Sequence, residues 1–240
     1  MENVVQTIAS FAANSPDVWV TGRGWDETQW EEKGMLSNIL LNVYFPDRPV
    51  FIKRIDGHKA LANQKALELT GITMQTEVAG GEIGKLSGRL TGVLMDNAME
   101  LVEKAVPKPS KQSNIQALLK AQEKCLAAGL TTVTDAGLDL ETILLIDSLQ
   151  KTGDLKIRIY AMANPTEENW AYFEKNGPIK TNLLQVSSFK LYADGSLGSR
   201  GAKLKKSYCD HENYTGIWVT SPELLRTYCQ RAYEMGFQVN

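Results

Sequence analysis

From Asn114 onward the chain alternates between stretches with helical apolar spacing and short β-rich runs. Helical spacing covers 114–128, 140–151 and 167–175, and Ser221-Pro222 opens another such stretch as N-cap and first-turn proline. Between them fall runs at 131–135, 156–162, the segment through Phe189-Lys190-Leu191, and 237–240. Parallel strands cannot be joined by a tight turn, so strands separated by helices predict βαβ units and a parallel sheet. Four such strands fit either a doubly wound sheet or part of a (β/α)₈ barrel, and no Gly-x-Gly-x-x-Gly follows a strand to favour a dinucleotide site. The fold class is therefore α/β. In either architecture the carboxyl ends of the strands line the site, which points to Asp135, Asn164 and Asp194.

Ahead of the linker Pro107-Lys108-Pro109-Ser110 the pattern is less regular. A helix is expected over 2–13, stopped at Asn14-Ser15-Pro16, then a strand Trp19 to Asp26 that passes into a glycine-flexed loop. A second strand, Pro49 to Ile55, runs into Asp56-Gly57-His58, and a helix from about Asn63 ends at Gly71. The glycine-rich stretch 76–92 reads as a loop or irregular hairpin, followed by a helix near 95–105. This divides the chain into residues 1–110, a helix with an α+β region, and residues 111–240, the βα repeat.

Lys190 stands inside its strand between apolar Phe189 and Leu191, ahead of Ala193-Asp194-Gly195-Ser196-Leu197-Gly198-Ser199-Arg200. A lysine there is costly unless its charge is removed, paired or used, so Lys190 is a candidate for chemistry. The plainer reading sends its head to water or to Asp194. Asp194 in turn fits a turn residue that bonds the loop backbone, and Arg200 either a carboxylate clamp or a partner for Asp194. Cys125, Cys209 and Cys229 match no zinc or redox spacing and read as small hydrophobes, Cys125 and Cys229 on apolar helix faces. His211 reads as a solvated loop residue, and Trp19 as core.

With 43% hydrophobic and 22% charged residues the 240-residue chain has the balance of a globular protein. Its net charge of −2 gives no basic face for nucleic acid. No apolar run approaches the roughly 20 residues of a membrane span, and Met1-Glu2-Asn3 is not a basic leader, so the cytoplasm is the expected location.

Several stretches, taken together, resemble amidohydrolase family 3 of the metal-dependent amidohydrolase superfamily, the group containing N-substituted formamide deformylase. They are Gly22-Arg23-Gly24-Trp25-Asp26, Pro49 to Ile52 with Asp56-Gly57-His58 and Asn63 to Leu67, Gly92-Val93-Leu94, Gly129 to Val133, and Phe189 to Arg200. The resemblance implies a (β/α)₈ TIM-type barrel of which residues 111–240 supply about strands 2–5, with an α+β insertion before them. It also implies hydrolysis of carbon–nitrogen bonds of amide or formamide type in a small molecule, using one or two divalent metal ions such as zinc. Lys190 matches the family's carbamylated lysine ligand, and His58, Asp194, Arg200 and Trp25 are the expected substrate contacts. Gly201 replaces the hydroxyl residue expected after Arg200. No residue here is assigned as the catalytic acid or base. The family's ligand histidines are missing, so the resemblance implies an internal piece of a longer enzyme that by itself is inactive and binds no metal pair.

Two further expectations stand beside this one. A desolvated lysine on a barrel strand can form a Schiff base with a carbonyl substrate. A half-barrel also leaves open strand edges that invite self-association.

Overall fold

Pro107 marks the first of three places where the chain passes between two compact units. The computed structural model describes residues 1–31 and 36–240. One unit comprises Met1–Pro107 with Ala193–Ser221, the other Lys108–Tyr192 with Pro222–Asn240.

In the first unit, α1 (Glu2–Ala12) turns Val5 and Ala12 inward, with Ile8 and Ala9 partly covered, against Leu41 and Ile52. Strand β1 (Val20–Trp25) lies parallel to β2 (Val50–Arg54), and between them come a single 3₁₀ turn at Glu27–Gln29 and the short helix α2 (Ile39–Tyr44). The chain then returns as β3 (Lys59–Ala62), helix α3 (Gln64–Leu69), and the hairpin β4 (Gly81–Leu86) and β5 (Arg89–Asp96), before a short α4 (Glu100–Glu103). The sheet order is β1-β2-β3-β5-β4, antiparallel from β2 onward. Ser87 and Gly88 both take positive φ, 47° and 75°, which lets a two-residue turn follow the twist of β4 and β5.

Asn63 ties these pieces together. Its Oδ1 caps α3 at the Ala66 amide and also accepts from the Val50 amide, while its Nδ2 donates to the carbonyls of Phe45 and Arg48. Gly92 is required where it stands: with φ of 83°, a Cβ would lie 2.3 Å from the Ala62 carbonyl oxygen.

The second unit carries the βα repeat. Helix α5 (Lys111–Ala127), capped by the Ser110 hydroxyl at the Ser113 amide, leads into β6 (Thr132–Leu138). Helix α6 (Leu140–Thr152) stops at Gly153 in the left-handed region and is followed by β7 (Arg158–Ala163). Helix α7 (Glu167–Asn176), the two-residue β8 (Ile179–Lys180), β9 (Leu184–Phe189), α8 (Pro222–Glu234) and β10 (Gln238–Val239) complete it. Strands β10-β9-β7-β6 are neighbours and mutually parallel, and β8 pairs antiparallel to β9. Their shared core is aromatic, with Trp170, Phe173, Phe189 and Phe237 packed around Ala161 and Val186.

Three local expectations change. Ile115, Leu118 and Leu119 on α5 are only partly covered and Leu126 stays 45% exposed, because helical spacing says which side chains share a face but not what covers that face. Cys229 is exposed on α8. Lys190 lies one residue past the end of β9, half-buried, although its amide still donates to the Ala163 carbonyl. Among the described residues no helix is long and apolar enough to cross a membrane.

Candidate functional site

The β2–β3 turn of the first unit, Ile55-Asp56-Gly57-His58, sits in a charged network centred on Arg54 at the end of β2. The Arg54 side chain is only 4% exposed and its guanidinium reaches three carboxylates: Asp26 at 2.5 Å, Glu27 at 2.6 Å and Asp56 at 2.7 Å. Lys59 takes the other oxygen of Glu27 at 2.8 Å. Burial pushes the Glu27 carboxyl up, but Lys59 and Arg54 outweigh it and hold it below the usual range. A guanidinium spent on three carboxylates stabilises this corner and is not on offer to a substrate.

Asp56 joins this corner to a distant stretch. It accepts from Arg54, from the His58 amide and from the Ser199 hydroxyl. Burial raises its pKa, yet the hydroxyls of Ser199 and Ser196, the His58 amide and Arg54 together set it below the ordinary carboxylate value. Ser199 lies in a glycine-rich strap, 194–201, that begins four residues after Lys190 in sequence. The strap closes on itself through Gly201 N–H to the Ser196 carbonyl at 2.9 Å.

His58 faces the end of β5. Its Nδ1 is 2.6 Å from Oδ1 of Asp96, whose side chain is 1% exposed and whose backbone sits at a φ of 47°. The hydrogen bond to Asp96, reinforced by the charges of Asp96, Asp56 and Asp194 against the opposing effect of burial, raises the His58 pKa. An acceptor-only carboxylate there places a proton on Nδ1.

The other first-unit residues singled out in the sequence take separate places. Asp194 does bond the loop backbone, Oδ2 accepting at 2.7 Å from the amide of Lys203, two residues past the strap. Arg200, with a backbone φ of 62°, pairs with Asp210 at 2.9 Å, not with Asp194. Trp25 is buried, its indole N–H on the Ile52 carbonyl, and it lines an apolar cavity of about 470 Å³ with Val4, Ile8, Phe11 and Ile52. Arg54, Glu27 and Asp96 carried no signal of their own, because each gains meaning only from partners far along the chain.

In the second unit the carboxyl ends of β6, β7 and β9 gather Gly137, Asn164, Lys190 and Tyr192. Lys190 Nζ donates to the Leu191 carbonyl at 3.2 Å and lies 4.5 Å from the centre of the Tyr192 ring. Asn164 donates to Asp139 at 2.9 Å. A Cβ on Gly137 would lie 2.8 Å from Asn164 Oδ1, so a glycine keeps this end of the sheet open. Among the described residues no three His, Cys, Asp or Glu side chains come together as a metal site, and one lysine amine turned onto an aromatic ring does not make one. The described side chains do not by themselves fit a metal ion.

Residues 1–240 match the family described as the amidohydrolase family. The chain belongs to that family. Among curated relatives, it is 34% identical over 230 residues to a Bacillus subtilis (strain 168) protein named as an amidohydrolase, YtcJ, covering 92% of this chain and 43% of that one. It is 31% identical over 235 residues to LONG AFTER FAR-RED 3 of Arabidopsis thaliana, covering 92% and 40%. Among solved structures it resembles an uncharacterized metal-dependent hydrolase from Pyrococcus horikoshii OT3, with 26% identity, a TM-score of 0.65, and coverage of 99% of this chain and 46% of that one. A second hydrolase structure, from Pyrococcus furiosus, shares the fold at a TM-score of 0.62 and 24% identity, over 99% of this chain and 48% of that one. This amidohydrolase-family chain thus spans less than half the length of each of these relatives.

Proposed function

We propose that this chain works within a metal-dependent amidohydrolase that cleaves non-peptide carbon–nitrogen bonds, of amide or formamide type, in a small-molecule substrate. Family membership supports the reading, as do the words "metal-dependent hydrolase" attached to the structural neighbours. The observation that carries it is Lys190, placed just past the end of β9 with parallel neighbours β7 and β10 on either side. Strand ends of parallel sheets are where α/β enzymes keep their chemistry. On this reading β6, β7, β9 and β10 are consecutive strands of a (β/α)₈ barrel. The Lys190 amine adds carbon dioxide, losing a proton, and the resulting carbamate is the ligand this chain contributes to one or two divalent ions. On this reading the remaining ligands come from elsewhere in the complete protein, and His58, Asp194, Arg200 and Trp25 act as substrate contacts.

The test uses the complete protein. Lys190→Met should lower bound metal, measured by elemental analysis, and abolish turnover of a panel of N-formyl and N-acyl amines. Full metal content with unchanged turnover sinks the reading. So does a borohydride-trapped adduct of Lys190 with a carbonyl compound, which would assign the lysine to Schiff-base chemistry instead.

A further inference from the structure

The strap 194–201 rests on a buried carboxylate, and that arrangement has a property independent of any reading of Lys190. A Cβ added to Gly195 would lie 2.7 Å from Asp96 Oδ2, and one added to Gly201 3.0 Å from it. The strap backbone therefore lies directly against that oxygen. Oδ2 is buried and makes no hydrogen bond among the described residues, so the Asp96 charge is answered through Oδ1 alone, by His58. Arg54 is already divided among Asp26, Glu27 and Asp56, and Lys59 is held by Glu27.

We propose that His58 and Asp96 form a pH-sensitive clasp: the imidazolium keeps the strap docked on the first unit, and loss of its proton releases the strap. The carboxylates that act on the imidazole include Asp96 from β5, Asp56 from its own turn and Asp194 from the strap. Tyr214, bonded through its hydroxyl to Glu82, also feels the Asp96 charge and stays neutral, its pKa raised by burial and by Glu82. With His58 neutral, the carboxylates of Asp56, Asp96 and Asp194 share one corner, and the strap that brings Asp194 there is the element able to leave. Besides the clasp, the hydroxyls of Ser199 and Ser196 on Asp56, the Ile217 amide on the Gly201 carbonyl and the Asp194–Trp218 bridge hold it. The direction follows from the raised His58 pKa. Docking is complete below the ordinary histidine value of about 6.5 and is lost as pH rises through the higher, docked-state value.

Amide hydrogen exchange over the peptide containing 195–201, corrected for intrinsic base catalysis, reads the docking directly. Protection should fall measurably between the imidazolium and neutral forms of His58, because the raised pKa makes the docked state bind the proton more tightly than the released one. In His58→Gln protection should be low and independent of pH. Unchanged protection across the His58 titration overturns the proposal, as does the same fall in His58→Gln. Should that variant fail to fold, the wild type still decides. The chain has two histidines, His58 and His211, and the midpoint of strap protection must coincide with the imidazole resonance of His58. A midpoint elsewhere overturns the clasp. The readout needs neither metal nor substrate, so it stands or falls apart from the hydrolase reading.

Discussion

Ser199 donates its hydroxyl hydrogen to Oδ2 of Asp56, joining positions 143 residues apart in the chain. The contact ties the stretch after Lys190 to the Asp-Gly-His turn, two segments the sequence offers as unrelated motifs. Removing a hydrogen bond to a charged group typically costs about 1.5–3 kcal/mol. Ser199→Ala should therefore destabilise the chain by about 2 kcal/mol, measured by urea denaturation, while Ser199→Thr retains part of the loss-free value. Equal midpoints for Ser199→Ala and the wild type would remove this tie from the account.

Arg54→Met should be more damaging. The substitution keeps much of the apolar stem but leaves Asp26, Glu27 and Asp56 facing one another without their shared cation. Stranding charges in this way costs about 3–5 kcal/mol when they are buried, and somewhat less here because the carboxylates keep partial contact with water. Chemical denaturation at neutral pH should show a loss of about 3 kcal/mol, reduced as pH falls and the carboxylates protonate.

Acid should weaken the same corner through Asp56. Its folded-state pKa lies below the unfolded value, so its contribution is present above about pH 4 and is lost as pH falls through the lower, folded value. Asp56→Asn should be less stable at neutral pH and show a flatter stability profile between pH 5 and pH 2. A wild-type acid limb unchanged by Asp56→Asn would contradict this.

In the second unit, Trp170 is fully buried and stacks on Phe189 with ring centres 3.6 Å apart, while its indole N–H makes no hydrogen bond among the described residues. Trp170→Ala should cost about 3–5 kcal/mol as a cavity opens. Trp170→Phe should cost much less than that, because it removes the buried unsatisfied donor along with part of the ring. Thermal unfolding of both variants ranks them.

The outer edge of β6 offers unpaired backbone groups with Thr132, Thr134 and Ala136 exposed. Concentration-dependent self-association is expected in sedimentation, and a lysine at Thr134 should reduce it, as charges blunt edge strands. Identical profiles for the wild type and Thr134→Lys would place any association elsewhere.

Much of this architecture is legible from spacing alone. The βα repeat announces itself because each strand is a short β-rich run flanked by helices with local caps, such as Ser110 and Thr166, and by stops such as Gly153. The mixed sheet is harder to read. Strand β3 has no alternation, since all four of its residues are buried, and β4 is disguised by Gly81 and Gly84. The Ser87-Gly88 turn lacks the Asn-Gly or Asp-Gly pair that usually betrays a hairpin. At the candidate site, Asp56 and His58 stood out within one short motif, whereas Asp96 became visible only when folding carried it to His58 across 38 positions. Arg54 looked like any strand-end arginine until its three partners were assembled around it.

The interleaved path of the chain has its own consequence for biosynthesis. Residues 193–221 complete the first unit, yet they are translated after 108–192 of the second. An emerging polypeptide therefore holds an unfinished first unit while most of the second has already been made, and cutting the gene at the Pro107–Lys108 junction would leave the first half short of a piece that the second half carries as a surplus insertion.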